Sequence, residues 1–188
     1  MWVFGETGRF ELGRSSGTFS RRSYGVQRAD PLSKSRQTRA FGHVAFNVSG
    51  SDFRGAVSGH CRHLEGDVGT SRLQVTDLPF RYRCRFSRAG QPLDAELLLD
   101  AAPLPTGLLL AESRAGEMRM NGRVFHLQAI HHSPAFAVRS GDPLGYRIGN
   151  IGAVDVNASP RTIFAPVEGP DREAVLLAGV ALSLLWTS

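Results

Sequence analysis

Residues 171–186 read DREAVLLAGVALSLLW and form the most apolar stretch of this 188-residue chain. In the thirteen consecutive residues from Ala174 to Trp186, only Gly179 and Ser183 are not apolar. A helix that is apolar on every face has no side for solvent, so it must lie inside a protein or a membrane. No earlier segment has this character.

The stretch is too short to cross a bilayer. Its thirteen apolar-rich residues make about 20 Å of helix, whereas a bilayer core of about 30 Å needs about 20 apolar residues. Pro170, Asp171 and Glu173 suit a helix start, because proline is tolerated there and acidic groups favour the positive end of the helix dipole. The sequence therefore predicts a buried helix over about residues 171–186 and no transmembrane span, with a short membrane anchor as the alternative.

The chain between Phe41 and Phe164 has the pattern of short strands separated by turns. Residues 117–120 and 123–130 flank Asn121-Gly122, and Asn-Gly between two alternating segments is the strongest short hairpin signal. Other predicted strands lie at 42–48, 73–76, 80–86, 93–99, 108–113, 135–139, 144–148, 153–156 and 161–164. Strands at this spacing indicate a sandwich or a barrel, and a barrel offers a place for a wholly apolar helix. We therefore predict an all-β fold with one helix, a closed antiparallel β-barrel around a hydrophobic C-terminal helix.

The net charge of +5 lies in the first 40 residues. They carry eight basic side chains against three acidic ones, whereas residues 41–188 carry fourteen of each. Because Gly and Ser are also frequent there, we predict a basic, solvated N-terminal arm over residues 1–40, followed by the barrel domain over residues 41–188. A basic arm also attracts nucleic acid or anionic lipid through salt-sensitive electrostatics.

Residues 80–86 predict a half-buried strand with a basic outer side. The apolar face consists of Phe80, Tyr82, Cys84 and Phe86, and the opposite face of Arg81, Arg83 and Arg85. Arginines spaced by about 7 Å along a strand suit phosphate groups, and Arg88 in the expected turn extends the patch. The predicted ligand-binding residues are Arg81, Arg83, Arg85 and Arg88, and a solvated outer face is the alternative interpretation.

The cysteines and histidines do not form a recognisable metal motif. Zinc needs three or four ligands, and the segment His60-Cys61-Arg62-His63 is followed only by Cys84 and by His131-His132, without CxxC or HExxH spacing. The sequence also lacks a GxSxG elbow, a Walker loop and a dinucleotide fingerprint. We therefore predict no metal, no cofactor and no catalytic residue. A small hydrolase or redox enzyme using Cys84 or a histidine such as His126 is the alternative.

Cysteine usage also bears on location. Cys61 and Cys84 do not make a disulfide framework, and Met1 to Phe4 lack the basic start of a secretory signal. We expect a cytoplasmic protein, with a position at the membrane periphery as the alternative. Since Cys84 alternates away from Arg83 and Arg85, we predict a buried structural thiol.

The order of elements resembles the tubby C-terminal-like superfamily, which includes the LURP-one-related and scramblase-like proteins. The resemblance covers about residues 41–188. Its residues are the strand, turn and strand FSRAGQPL at 86–93, the Asn121-Gly122 hairpin, the strand LGYRIG at 144–149 and the helix at 173–186. The resemblance implies a closed barrel threaded by the C-terminal helix, and a lipid-phosphate headgroup as a ligand of basic barrel residues. We therefore expect a non-enzymatic binding or scaffolding module for anionic headgroups or a protein partner, with nucleic-acid binding through the arm as a further alternative.

Overall fold

The computed structural model describes residues 2–30, 35–69, 74–102, 113–132, 140 and 142–185. Within them, eleven strands form one antiparallel sheet in which each strand pairs with the next along the chain. The strands are β1 (Trp2–Leu12), β2 (Ser15–Ala29), β3 (Arg36–Gly50), β4 (Val57–Gly69), β5 (Gln74–Arg88), β6 (Gln91–Ala101), β7 (Arg114–Met120), β8 (Arg123–Ile130), β9 (Gly145–Ile148), β10 (Gly152–Asp155) and β11 (Thr162–Phe164). One helix, α1 (Arg172–Ser183), follows them. In the described chain, β1 and β11 are the two edges of the sheet.

The helix packs against one side of the sheet, which we call the inner face. Residues 174–182 of α1 are all buried, as the apolar stretch predicts. Inner-face side chains surround them, and the largest fully buried ones are Phe46, Tyr82, Leu97, Leu99, Met118, Leu127, Tyr146 and Ile148. The Tyr82 hydroxyl donates a hydrogen bond of 2.8 Å to the carbonyl of Ala181, which links β5 directly to the helix. The predicted buried helix is confirmed, while Trp186 lies outside the described residues.

Length and hydropathy agree with a buried role for α1. Among the residues that the structure describes, no helix is long and apolar enough to cross a membrane. Gly179 lies where α1 approaches β11 closely, since a Cβ atom there would be 2.6 Å from Cγ2 of Ile163. This close approach accounts for a glycine in the middle of a helix.

Most predicted strands are confirmed, and several are longer than expected. Residues 74–76 and 80–86, predicted as parts of two separate strands, both lie within β5, and the segment 42–48 lies within β3. The hairpin between β7 and β8 turns at Asn121 and Gly122, whose φ angles of 51° and 74° are the positive values that such a two-residue turn requires. Residues 108–112 of one predicted strand, and the whole predicted strand 135–139, lie outside the described residues.

The expected N-terminal arm is not a separate unit. Residues 2–29 form β1 and β2, and β3 crosses the predicted boundary at residue 40. Each of these strands pairs along most of its length with its neighbour, so the basic residues on them belong to the same sheet as the rest: Arg9, Arg21, Arg22, Arg28, Arg36 and Arg39. The Gly and Ser content that predicted a poorly ordered arm does not prevent strand formation here.

The glycines of these strands have a specific place, opposite aromatic rings. The cross-strand pairs are Phe10 with Gly17, Phe19 with Gly8, Trp2 with Gly25, Phe46 with Gly59, and His63 with Gly42. A Cβ atom at any of these five glycines would lie within 1.8–2.7 Å of an atom of the partner ring. Each ring therefore occupies the space over the facing glycine, an arrangement known to support glycines in sheets. Strand β4, which contains Gly59, was not predicted.

Candidate anion-binding groove

The basic stripe of β5 lies on the outer face, the side of the sheet opposite α1. Arg81, Arg83 and Arg85 are exposed, whereas Tyr82 and Cys84 between them are fully buried. The alternation predicted for this strand is therefore confirmed. The sheet, and not β5 alone, determines what surrounds these arginines.

Strand register places further basic side chains beside the stripe. Arg62 of β4 pairs directly with Arg83, and His60 pairs with Arg85. His43 of β3 pairs in turn with Arg62. Because direct cross-strand partners lie on the same face with Cβ atoms about 5 Å apart, these side chains form one cluster.

The cluster lines a groove of about 670 Å³, which we call the basic groove. Its outward-facing basic side chains are His43, His60, Arg62, Arg81, Arg83 and Arg85, and the buried His63 also lines it. Phe41 and Leu64 add apolar surface, and Glu96 adds a carboxylate whose oxygen lies 4.0 Å from Nε of Arg85. Within the described residues, no ion pair neutralises Arg62, Arg81 or Arg83. The groove therefore carries a net positive charge.

Arg88, the fourth predicted ligand-binding residue, lies elsewhere. Strand β5 continues to Arg88 instead of turning before it, so this residue takes the same side as Phe86 and faces the helix. Its guanidinium forms an ion pair with Glu173 in the first turn of α1, and its side chain is 27% exposed, compared with 88% for Arg85. The structure separates Arg88 from the other three arginines.

Three of the groove's outward-facing basic residues, His43, His60 and Arg62, were not singled out as ligand-binding residues from the sequence. His60 and Arg62 are separated by one residue, as are Arg81 and Arg83, so the alternation of β4 held a signal for them. His43 has no such signal, because only its pairing with Arg62 brings it to the groove. Strand register is a tertiary property that local spacing does not reveal.

The segment His60-Cys61-Arg62-His63 is divided between the two faces of the sheet. His60 and Arg62 point outward, while Cys61 and His63 are buried on the inner face. This division prevents the four side chains from converging on one ion. In the described parts of the chain, no group of three or more His, Cys, Asp or Glu side chains is arranged to hold a metal.

The two cysteines are bonded to each other, which corrects the prediction of a free thiol. Cys61 and Cys84 are direct partners on β4 and β5, with a Cα–Cα distance of 4.0 Å, and they form a disulfide. Cys84 is buried as expected, but it has no thiol to act as a nucleophile. Disulfides persist mainly in oxidising compartments, so this bond does not support the cytoplasmic location expected from the cysteine count.

A second groove, of about 1080 Å³, covers the outer side of β8 to β10. It contains His126, the histidine considered for catalysis, together with Arg147 and Arg123. Arg123 is paired with Asp171 at 2.8 Å, so its charge is balanced. This groove is larger than the basic groove, but fewer cations line it.

A polar cluster at the start of α1 has a structural role. Asp52, in the β3–β4 turn, accepts a hydrogen bond of 2.6 Å from Arg172 and others from Ser15 and the backbone N–H of Arg14. The hydrogen bond from Arg172 holds the pKa of Asp52 below its usual value, and the hydrogen bond from Ser15 adds to this effect. Burial of the carboxylate acts in the opposite direction and is outweighed. These contacts join the β1–β2 and β3–β4 turns to the helix.

No protein-family model matches this chain, and no curated protein or solved structure is significantly similar to it. The geometry and charge of the basic groove are therefore the basis on which a function can be inferred.

Proposed function

We propose that this protein is a non-enzymatic binding module that holds a phosphate-bearing anion in the basic groove. The observation that carries the proposal is the strand register, which brings Arg62 beside Arg83 and His60 beside Arg85. An acidic surface of a protein partner is the alternative occupant, because it offers similar charges.

The chemistry of the groove suits phosphate. Four arginines, Arg62, Arg81, Arg83 and Arg85, supply most of the positive charge of the groove. Each guanidinium presents a planar fork of donors that matches phosphate oxygens. Spacings of about 5 Å across strands and about 7 Å along them allow one phosphate to contact two arginines. Glu96 alone among the lining residues opposes this charge.

The experiment is a calorimetric titration with tripolyphosphate over a salt series. We expect the Arg62→Ala/Arg83→Ala variant to lose at least about tenfold in affinity, since hydrogen bonds to charged groups contribute about 1.5–3 kcal/mol each. The matched control is Arg9→Ala/Arg147→Ala, which removes two exposed arginines outside the groove. Equal affinities for both variants would contradict the proposal, because only net charge would then matter.

We also propose that the sheet closes round α1 as a barrel of the tubby-like kind. Two observations support closure. Phe10 and Phe19 on the inner face of β1 and β2 line the same groove, of about 690 Å³, as Arg161 and Ile163 from the other end of the sheet. Burial, and then the nearby charge of Arg21 on β2, lower the pKa of Arg161. NMR contacts between Phe10 and Ile163 would be expected, and their absence in a fully assigned spectrum would contradict closure.

A further inference from the structure

A row of apolar side chains runs beside the cations on the outer face. Val3, Tyr24, Phe41 and Leu64 are successive cross-strand partners from β1 to β4. Val3 is 53% exposed and Phe41 is 37% exposed, while Tyr24 and Leu64 are half-buried, so each member of the row keeps some surface that a ligand could contact. Contiguous exposed apolar surface, unlike single exposed apolar residues, often marks an interaction site.

A cationic row lies parallel to it. Arg22, His43, Arg62 and Arg83 are successive partners from β2 to β5, two residues along each strand from the apolar row. The two rows are therefore about 7 Å apart, and each crosses four strands, or about 15 Å. The Tyr24 ring also meets the His43 ring edge-on, with centroids 6.3 Å apart, which joins the rows.

This arrangement matches a single strand of nucleic acid, which has phosphates along one side and flat bases along the other. Proteins that bind single strands combine a basic track for the backbone with aromatic rings on which bases stack. At a rise of about 3.4 Å per nucleotide, a row of about 15 Å accommodates about four nucleotides. We propose that single-stranded nucleic acid binds here, with phosphates on the cationic row and bases on Tyr24 and Phe41. This inference rests on the proposed function, because the same groove arginines would hold the phosphates.

The geometry favours a single strand over other phosphate-bearing partners. In a duplex the base faces are stacked inside the helix, so no base would be free to stack on the aromatic rings of the apolar row. An isolated headgroup needs only a compact cationic cluster and makes no use of a parallel apolar row. The row also lies on strands, from the edge strand β1 to β4, and not at a turn that could enter a bilayer.

The test is fluorescence anisotropy with a labelled single-stranded oligonucleotide of about ten nucleotides, as DNA and as RNA, within the usual site size. The same sequence as a duplex, vesicles containing anionic phospholipid, and tripolyphosphate serve as comparison probes. The key variant is Phe41→Ala, and the matched control is Phe164→Ala, which removes another exposed phenylalanine on β11. Circular dichroism confirms that each variant is folded.

We expect the single strand to bind more tightly than the duplex. Phe41→Ala should weaken single-strand binding about 5- to 150-fold, the range for loss of one base–aromatic stack, and leave tripolyphosphate binding unchanged. Phe164→Ala should change neither, and Arg62→Ala/Arg83→Ala should weaken both.

The contrary outcomes separate the two proposals. The stacking inference is wrong if Phe41→Ala has no effect on single-strand binding, or if the duplex binds as tightly as the single strand. In that case the proposed function still stands, as long as Arg62→Ala/Arg83→Ala loses tripolyphosphate binding. Vesicle binding that depends on Phe41, without binding of the single strand, would also overturn it. If the arginine variant loses neither probe, both proposals are wrong.

Discussion

At the scale of single residues, glycines facing aromatic rings are the feature that recurs most in this sheet. Phe46 is 1% exposed and also meets the Phe86 ring edge-on, so it has no room to move away from its partner Gly59. The glycine provides space that no other residue would leave. Similar pairs in β1 and β2 allow a Gly-rich segment to form strands with large side chains on the inner face.

Replacing one of these glycines tests the steric argument. We expect Gly59→Ala to lower the free energy of unfolding by about 1–3 kcal/mol, the usual cost of overpacking, because the new Cβ would lie 2.3 Å from the Phe46 ring. Gly5→Ala is the control, because the nearest atom to its Cβ is at 3.6 Å, and it should change stability by less than about 0.5 kcal/mol. Urea unfolding measures both, and equal effects would contradict the steric explanation.

The disulfide gives a second prediction at this scale. It joins residues 23 positions apart, and closing a loop of this length restricts the unfolded chain by about 3 kcal/mol. Reduction should lower the free energy of unfolding of the native protein by about that amount. It should not change the free energy of unfolding of a Cys61→Ala/Cys84→Ala variant. A thiol titration of the denatured, unreduced protein should find no free thiol, and finding two would show that the bond does not form.

At the scale of elements, α1 is held at both ends as well as along its apolar length. Its first turn makes ion pairs with Asp52 and Arg88, which belong to the sheet and its turns. At its C-terminal end, the Arg161 guanidinium donates a hydrogen bond to the carbonyl of Ser183. That cation meets the negative end of the helix dipole, which has no basic residue of its own in the last turn.

A charge in the middle of α1 should prevent folding. Leu177 is fully buried, and an unpaired carboxylate there would cost several kcal/mol, so Leu177→Asp should yield no soluble, folded protein. Leu177→Met conserves volume and should cost less than about 1.5 kcal/mol. Soluble yield and circular dichroism distinguish the two. A folded Leu177→Asp variant would show that the helix is not buried.

Asp52 should make the attachment of the helix depend on pH. Its pKa is lower in the folded state than in the unfolded state, so its ionised form stabilises the fold above the unfolded value of about 3.9. This stabilisation is lost as the pH falls through the lower, folded-state pKa.

We therefore expect Asp52→Asn to be less stable than the native protein by about 1–3 kcal/mol at pH 7, and the difference to shrink below about pH 4. Denaturant unfolding at several pH values measures this difference. Asp94→Asn, at an exposed position, is the control and should match the native protein throughout. A difference for Asp52→Asn that stayed constant with pH would exclude the linkage.

At the scale of the whole molecule, the chain forms one continuous sheet from Trp2 to Phe164 in sequence order. Five of the N-terminal basic residues lie on β2 and β3: Arg21, Arg22, Arg28, Arg36 and Arg39. Arg22 pairs directly with His43 of the basic groove. Uneven charge along the sequence becomes a localised charge on the folded surface.

Deleting residues 2–29 tests whether the N-terminal strands are integral. The deletion removes β1 and β2 and leaves β3 without a partner along one edge. A folded domain typically has a free energy of unfolding of about 5–15 kcal/mol, and we expect the deletion to remove most of it. The measurement is thermal unfolding, in which the cooperative transition should be lost. Deleting residues 2–12 should cost less, because it removes one strand, which in the described chain pairs only with β2, and leaves β2 and β3 paired. Unchanged stability in both would restore the interpretation of a dispensable arm.

How much could be predicted from the sequence depends on how local the signal is. The apolar run of α1, the alternation in β5 and the Asn121-Gly122 turn involve residues near one another in the chain, and these predictions are confirmed. The basic stripe was predicted for the same reason. The residues that pair with it on β3 and β4, namely His43, His60 and Arg62, were not predicted as part of the site.

The sequence by itself determined that α1 is buried and that Arg81, Arg83 and Arg85 share one face, because hydrophobic periodicity is encoded residue by residue. Only the tertiary structure decided that Arg62 lies beside Arg83, that Cys61 bonds Cys84, and that Arg88 turns to the helix. The physical reason is strand register. It is set by packing between segments that are distant in sequence, and a shift of one residue would exchange the inner and outer faces.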